Sequence, residues 1–333
     1  MTQHLQWVSD EWHTDVRHWI DSQLARVGLQ VTGPIEQPHT RPYATAIRIP
    51  TQNRPVWFKA TTQGLGYEVQ LTRFLSDLLP QHTPCLIASD DERCWMLMED
   101  MGETLRSRIS TVADLYWMDK ALELYADLQK MAAVRIDDLS ATGIPDRRPT
   151  PLRSQWDELI RDTDRLFIDQ YDYDCISGAH YHRALEMWPE ISRLLEELES
   201  VGLPDTVVHE DLHDANIFIK GNSIILSDWG EACISNPLCT LTVFLRSMAY
   251  QRGLNIDAPE IVAVRDRYLE HWEEFASRAQ LLEAAKIAVR IGMLHRSLTW
   301  RNTIISAPEE SVSDYADRAS GWLDGFIETF DPA

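Results

Sequence analysis

The chain has 333 residues, with 31 Lys and Arg against 52 Asp and Glu, giving a formal charge of -21 and a pI near 4.8. Such a field repels phosphate backbones and anionic lipid, which excludes nucleic acid and membranes as expected partners; it favours a cationic substrate, although acidity also serves solubility alone. Cys85, Cys94, Cys175, Cys233 and Cys239 are scattered without a CxxC spacing, no basic-then-apolar leader opens the chain, and no apolar run reaches the ~20 residues of a bilayer span, so reduced thiols and a cytoplasmic protein are expected.

In chain order, Trp12, Val16, Trp19, Ile20, Leu24 and Val27 follow mostly helical steps, which predicts an amphipathic helix from Ser9 to Val27, capped by Ser9 and stopped by Gly28. Tyr43 to Ile49 and Val56 to Ala60 read as strands joined by a polar turn; Cys85 to Ala88 and Cys94 to Met98 read as further strands, with a helix from Tyr67 to Leu79 between the pairs. This order predicts a small sheet-based lobe over 1–100. Long helical patterns fill 101–333: Val112 to Met131, Leu152 to Tyr171, Tyr181 to Ser200, an apolar helix after Pro237, Pro259 to Ala276, Leu281 to Trp300 and Ser311 to Phe330. Pro145 to Pro151 reads as a helix connector. Thr206 to Trp229 interrupts the helices with β-branched residues on both sides of a polar cluster and a Lys220-Gly221-Asn222 turn, as in a hairpin-like insert. The predicted class is α+β and two-lobed, 1–100 holding the opening helix and the sheet, 101–333 the helices and the hairpin-like insert.

The chemistry concentrates in Val207-Val208-His209-Glu210-Asp211-Leu212-His213-Asp214-Ala215-Asn216 and in Ser227-Asp228-Trp229-Gly230. Two readings compete. As HExxH, His209 and His213 would ligate zinc and Glu210 would be the base of a hydrolase. That requires a helix, whereas Val207-Val208 and Ile217-Phe218-Ile219 favour strands on either side. The other reading is the kinase catalytic loop: an Asp, an Asn five positions on, then an Asp-aromatic-Gly triplet after a strand pair. Asp211 would accept the proton of a substrate hydroxyl, while Asn216 and Asp228 would hold Mg²⁺ against the phosphates. A buried network that merely braces the loop would use the same residue types.

His209 to Gly230 resembles the aminoglycoside phosphotransferase and choline kinase superfamily, matching its HxDxHxxN pattern and following DW pair, and the other parts occur in order over nearly the whole chain. The resemblance implies a protein-kinase-like fold that moves the γ-phosphoryl group of ATP or GTP, with Mg²⁺, onto a small-molecule hydroxyl such as that of an aminoglycoside or another amine- or sugar-like acceptor. It further implies that Lys59, ending Val56-Trp57-Phe58-Lys59, contacts the α- and β-phosphates and pairs with Glu68, and that backbone groups around Glu99 to Met101 meet the adenine. The phosphate-covering loop departs from the pattern: Glu36 to Thr45 contains no glycine, and Thr40, Arg41 and Thr45 are its candidates. A non-catalytic nucleotide binder is the alternative that this loop permits and the Asp211, Asn216 and Asp228 set disfavours.

Protein kinases carry an Arg before the catalytic Asp; here it is Glu210, and only Glu231 to Asn236 separates Gly230 from Pro237, too little for a regulated activation loop. A compact acceptor is expected. His209 would brace the loop, His213 would do so or touch the acceptor, and Glu231 beside the triplet would contact the acceptor. The acidic run from Asp157 to Asp174 would line a cationic site or form a solvated face. Trp300, near His295 and Arg301, would close the pocket with an aromatic face. Thr240 stands where the resemblance expects a structural carboxylate.

Overall fold

The computed structural model describes residues 6–109, 115–308 and 314–330. Ser9 caps α1 (Asp10–Arg26) by accepting the Trp12 N–H, and Gly28 follows with the left-handed φ of +73° that suits a helix stop. Val16, Ile20 and Leu24 make the buried stripe of α1, and Trp12 and Trp19 meet Phe58 and Trp95 edge to face. Those rings belong to a five-stranded antiparallel sheet of β1 (Glu36–Thr40), β2 (Ala44–Ile49), β3 (Val56–Thr61), β4 (Leu86–Asp90) and β5 (Trp95–Glu99), in the order β1-β2-β3-β5-β4. Because strand side chains alternate, Met96 and Met98 face the other way and pack with Val69 of α2 (Tyr67–Leu78).

One expectation changes here. Glu36–Thr40 is a strand paired with β2, so the expected loop shrinks to the turn Arg41-Pro42-Tyr43. Pro38 hid the strand, but β1 is the sheet edge, where a missing N–H interrupts no ladder.

From β5 the chain passes through Gly102 into β6 (Glu103–Thr104) and α3 (Leu105–Arg108). Gly102 has φ +87°, and a Cβ there would lie 2.2 Å from the Ile219 carbonyl oxygen, so only glycine fits the crossing. The remainder is mainly helical: α4 (Tyr116–Val134), α5 (Ile136–Ala141), α6 (Pro149–Arg161), α7 (Gly178–Ala184) and α8 (Trp188–Glu199) precede a strand-rich segment. That segment holds β7 (Thr206–Val208), β8 (Ile217–Lys220), β9 (Ser223–Leu226) and β10 (Cys233–Ser235). Then come α9 (Leu241–Arg252), α10 (Pro259–Glu270), α11 (Arg278–Ser306) and α12 (Arg318–Glu328). The result is the α+β, two-lobed, kinase-like architecture predicted.

Helix boundaries are corrected in several places. The pattern from Leu152 to Tyr171 stops at Arg161, where Asp162 leaves helical geometry, and Phe167 and Asp169 take positive φ. That from Tyr181 to Ser200 is two helices, because Pro189 has no N–H to donate and sits in the first turn of α8. Pro149 likewise opens α6, so the Pro-rich connector is partly helix. Pro259 to Ala276 ends at Glu270, whereas α11 outruns its predicted span at both ends. The predicted starts at Val112 and Ser311 lie outside the described residues. β8 and β9 form the expected hairpin, joined by β6, whereas β7 pairs with β10. Among the described residues no helix is long and apolar enough to cross a membrane.

Candidate active site

The catalytic loop leaves the fully buried strand β7 at His209. The buried His209 Nε2–H donates to the Ser227 carbonyl (2.9 Å), the ring lies 4.5 Å from that of Trp229, and the His209 N–H donates to the Tyr125 hydroxyl (2.9 Å). Burial holds its pKa below the ordinary imidazole value, which favours a neutral brace. Glu210 turns through φ +57°, and Asn216 Nδ2 donates to the Asp211 carbonyl (3.0 Å) and carboxylate (3.3 Å). His213 Nδ1 accepts the Ala215 N–H, leaving Nε2–H to face Asp211 Oδ2 at 3.4 Å. The buried Asp214 is held by Arg106 (2.8 Å) and Arg252 (3.4 Å).

These residues form no helix, and His209 and His213 turn to different partners, which removes the HExxH zinc arrangement. The chain exits a strand and reverses at Glu210, so the two imidazoles share no face.

From the sheet, Lys59 Nζ reaches Glu68 Oε1 and Asp228 Oδ1, each at 2.6 Å. Register places Lys59 opposite Met96, and α2 brings Glu68 beneath it. Burial alone would lower the lysine pKa, but the two carboxylates outweigh it and hold Lys59 protonated. Burial pushes Asp228 up and the Lys59 charge brings it below the ordinary carboxylate value; Glu68 remains raised by its burial despite the same lysine. Asp228 has a left-handed backbone (φ +68°), and its side chain keeps 54% exposure. The Tyr67 hydroxyl donates to the Gly230 carbonyl (2.6 Å), tying α2 to the segment that follows Asp228.

Arg296 on α11 is 4% exposed, pairs with Glu231, and stands 3.6 Å from Asp211 Oδ1. Burial would raise Asp211, but the His213 hydrogen bond and the Arg296 charge hold it below the ordinary carboxylate value. Burial lifts Glu231 to about 7, only partly offset by Arg296, with Asp211 adding to the rise. Above this cluster Tyr43, at the β1–β2 turn, meets Trp300 (5.9 Å) and Tyr315 (5.8 Å), which stack on each other.

The structure thus converges Lys59, Glu68, Asp211, Asn216 and Asp228, with His209, His213 and Glu231 around them. Thr40 ends β1, and the buried Thr45 hydroxyl is engaged inside the hairpin, donating to His39 O (2.8 Å) and accepting from Gln37 (2.9 Å). The Glu99 side chain pairs with Arg54 and Lys220, its N–H donates to Cys85 O, and Met101 is buried just beyond β5. Thr240 is buried at the start of α9, and His295 is in the core away from any mouth. Sequence reasoning missed Arg296, Tyr43 and Tyr315. Of these only Tyr43, in the turn between strands, carried a local signal.

The sequence profile of the phosphotransferase enzyme family matches residues 52–286. Among solved structures, the ethanolamine kinase of Plasmodium vivax is similar at 14% identity, over 96% of this chain and 89% of that one, with a TM-score of 0.63. The GDP complex of wild-type aminoglycoside 2'-phosphotransferase-IIIa shows 10% identity over 94% and 98%, with a TM-score of 0.59. A macrolide 2'-phosphotransferase type I shows 16% identity over 98% and 99%, with a TM-score of 0.54. At such identities the likeness is one of fold. No curated protein matches the chain in sequence.

Proposed function

The chain belongs to the phosphotransferase enzyme family, and from that premise we propose that it moves the γ-phosphoryl group of ATP or GTP onto a hydroxyl of a small molecule, with Asp211 as the base. The observation that carries the reading is Lys59 Nζ lying 2.6 Å from both Glu68 and Asp228, in a site that Asp211 and Asn216 share. Lys59 contacts the α- and β-phosphates, positioned by Glu68. Asp228 has an exposed carboxylate, and Asn216 donates through Nδ2 and so turns its amide oxygen elsewhere; hard oxygen donors of this kind fit Mg²⁺. Held by Asp228 and Asn216, Mg²⁺ would supply charge neutralisation at the transferring phosphoryl group.

Asp211 is kept ionised by His213 and Arg296, so it can take the hydroxyl proton as the acceptor oxygen bonds to the γ-phosphorus and the bridge to the β-phosphate breaks. His209 braces the loop from its buried side, and Asn216 fixes Asp211. We place the hinge between a nucleotide-binding 1–100 and an acceptor-binding 101–333, with the backbone of Glu99 to Met101 meeting the base and Thr40 and Thr45 belonging to the hairpin that covers the phosphates. Trp300 and His213 flank the acceptor, and Glu231 contacts it. The acidic field supports an amine- or sugar-bearing acceptor, aminoglycosides included.

The test is Mg²⁺-dependent release of ADP or GDP across aminoglycosides, choline, sugars, homoserine and nucleosides. Release with one acceptor, reduced about 10²- to 10⁴-fold by Asp211→Asn while nucleotide binding persists, is the expected outcome. Wild-type turnover in that variant would remove Asp211 as the base.

A further inference from the structure

Behind the catalytic loop, Glu210, Cys233 and His295 present a carboxylate oxygen, a sulfur and an imidazole nitrogen that all lie within 4.8 Å of one another, and all three residues are buried. They come from three places far apart in the chain: the loop after β7, the first residue of β10, and α11. His295 is 0% exposed and, among the described residues, neither of its ring nitrogens has a hydrogen-bond partner; the Glu210 carboxylate meets only the Thr299 hydroxyl and the Cys233 thiol. Unpaired polar atoms at such depth are strongly unfavourable and call for a ligand.

The spacing indicates which kind. His295 Nδ1 and Glu210 Oε1 face each other at 3.6 Å, too far for a hydrogen bond. Two ligand atoms each held about 2.1 Å from a tetrahedral ion stand roughly 3.4 Å apart. The other Glu210 oxygen accepts the Thr299 hydroxyl at 2.6 Å, an orienting bond of the type that fixes ligating carboxylates. Glu210 reaches this position from a backbone φ of +57°, a conformation that side-chain-bearing residues rarely adopt.

We propose that Glu210, Cys233 and His295 form a buried zinc site that fastens the catalytic loop to β10 and α11. Mixed nitrogen, sulfur and oxygen donors suit Zn²⁺, whereas the Asp228 and Asn216 oxygens suit Mg²⁺. The site shares only Glu210 with the HExxH pattern and owes nothing to the i, i+4 spacing. Binding replaces the Cys233 thiol proton, which passes to solvent, by a zinc–sulfur bond. Carboxylate and thiolate then balance the divalent charge, and the Arg147 guanidinium, 3.3 Å from the same Thr299 hydroxyl, leaves the cluster one net positive charge. The fourth tetrahedral position is left to water.

The experiment is elemental analysis of the full chain purified from zinc-supplemented growth, so that metal enters during folding, beside Cys233→Ser and His295→Asn. A parallel Co²⁺-substituted preparation reports thiolate ligation by its charge-transfer absorption. About one zinc per chain, lost in both variants, with the cobalt–thiolate band lost in Cys233→Ser, is expected. Wild-type protein without zinc, or full zinc in either variant, overturns the site. Should the variants fail to fold, the wild-type cobalt spectrum decides alone: a chain that shows no thiolate band contradicts the proposal.

Discussion

Arg296 reaches from α11 to Glu231 and Asp211, and its cation is buried with both carboxylates. Removing it leaves like charges together in low dielectric, so Arg296→Gln should raise the Asp211 pKa and move the acid limb of kcat/KM to higher pH, with a stability loss of about 3 kcal/mol. An unmoved acid limb would mean that Arg296 does not tune the base. Glu231 supplies a stability test with a defined sign. Its folded pKa of about 7 lies above the ordinary 4.5, so its contribution is fully present below pH 4.5 and is lost as pH rises to 7. Relative to Glu231→Gln, wild type should therefore lose on the order of 1–3 kcal/mol between those pH values, measured by urea unfolding. Equal slopes would contradict the raised pKa. The grouping of Asp211, Asn216 and Asp228 was legible because their spacing is local. Arg296 was not, because its partners lie 65 and 85 positions away and nothing around it on α11 marks it.

At the scale of elements, α11 does more than fill the helical lobe. Its 29 residues run from the Ser277 cap to Ser306, whose hydroxyl lies 2.9 Å from that of Thr62, just beyond β3. Trp300, one turn past Arg296, holds Tyr43 and with it the β1–β2 turn. From behind, the Trp7 indole N–H donates to Arg41 O (2.8 Å), so the turn is fixed on two sides by aromatics. Trp300→Ala should speed hydrogen exchange over residues 36–45 and raise the nucleotide KM more than it lowers kcat, the aromatic contact being worth about 1 kcal/mol. Unchanged exchange would remove Trp300 as the clasp. Elements with a clean period and end signals, such as α1 and the β2–β3 pair, were readable from sequence. The break at Asp162 was not, since apolar spacing continues across it while backbone geometry does not; the one before Pro189 was signalled by the proline, which the continuing apolar spacing masked.

Across the whole molecule, the order of one sheet followed by many helices was enough to give a two-lobed α+β fold, because each amphipathic face has to be buried on a neighbour. The meaning of the net charge was less accessible. In the acidic run, Asp157 pairs with Arg153 (3.2 Å), Asp162 with Arg301 (2.8 Å) and Asp174 with Arg318 (2.7 Å), so part of that charge is committed within the chain, and Arg301 with it. The last two pairings depend on tertiary neighbours and leave no trace in composition, whereas Arg153 and Asp157 are i, i+4 neighbours within α6. The converged Lys59, Glu68, Asp211, Asn216 and Asp228 remain the centre of the account. Its most direct test is the single-turnover rate at which labelled γ-phosphate moves from saturating nucleotide to the acceptor, in wild type and Asp211→Asn. A phosphorylated hydroxyl product is expected, with a fall of about 10²- to 10⁴-fold in the variant and nucleotide affinity nearly unchanged. Equal single-turnover rates in the two proteins would contradict it.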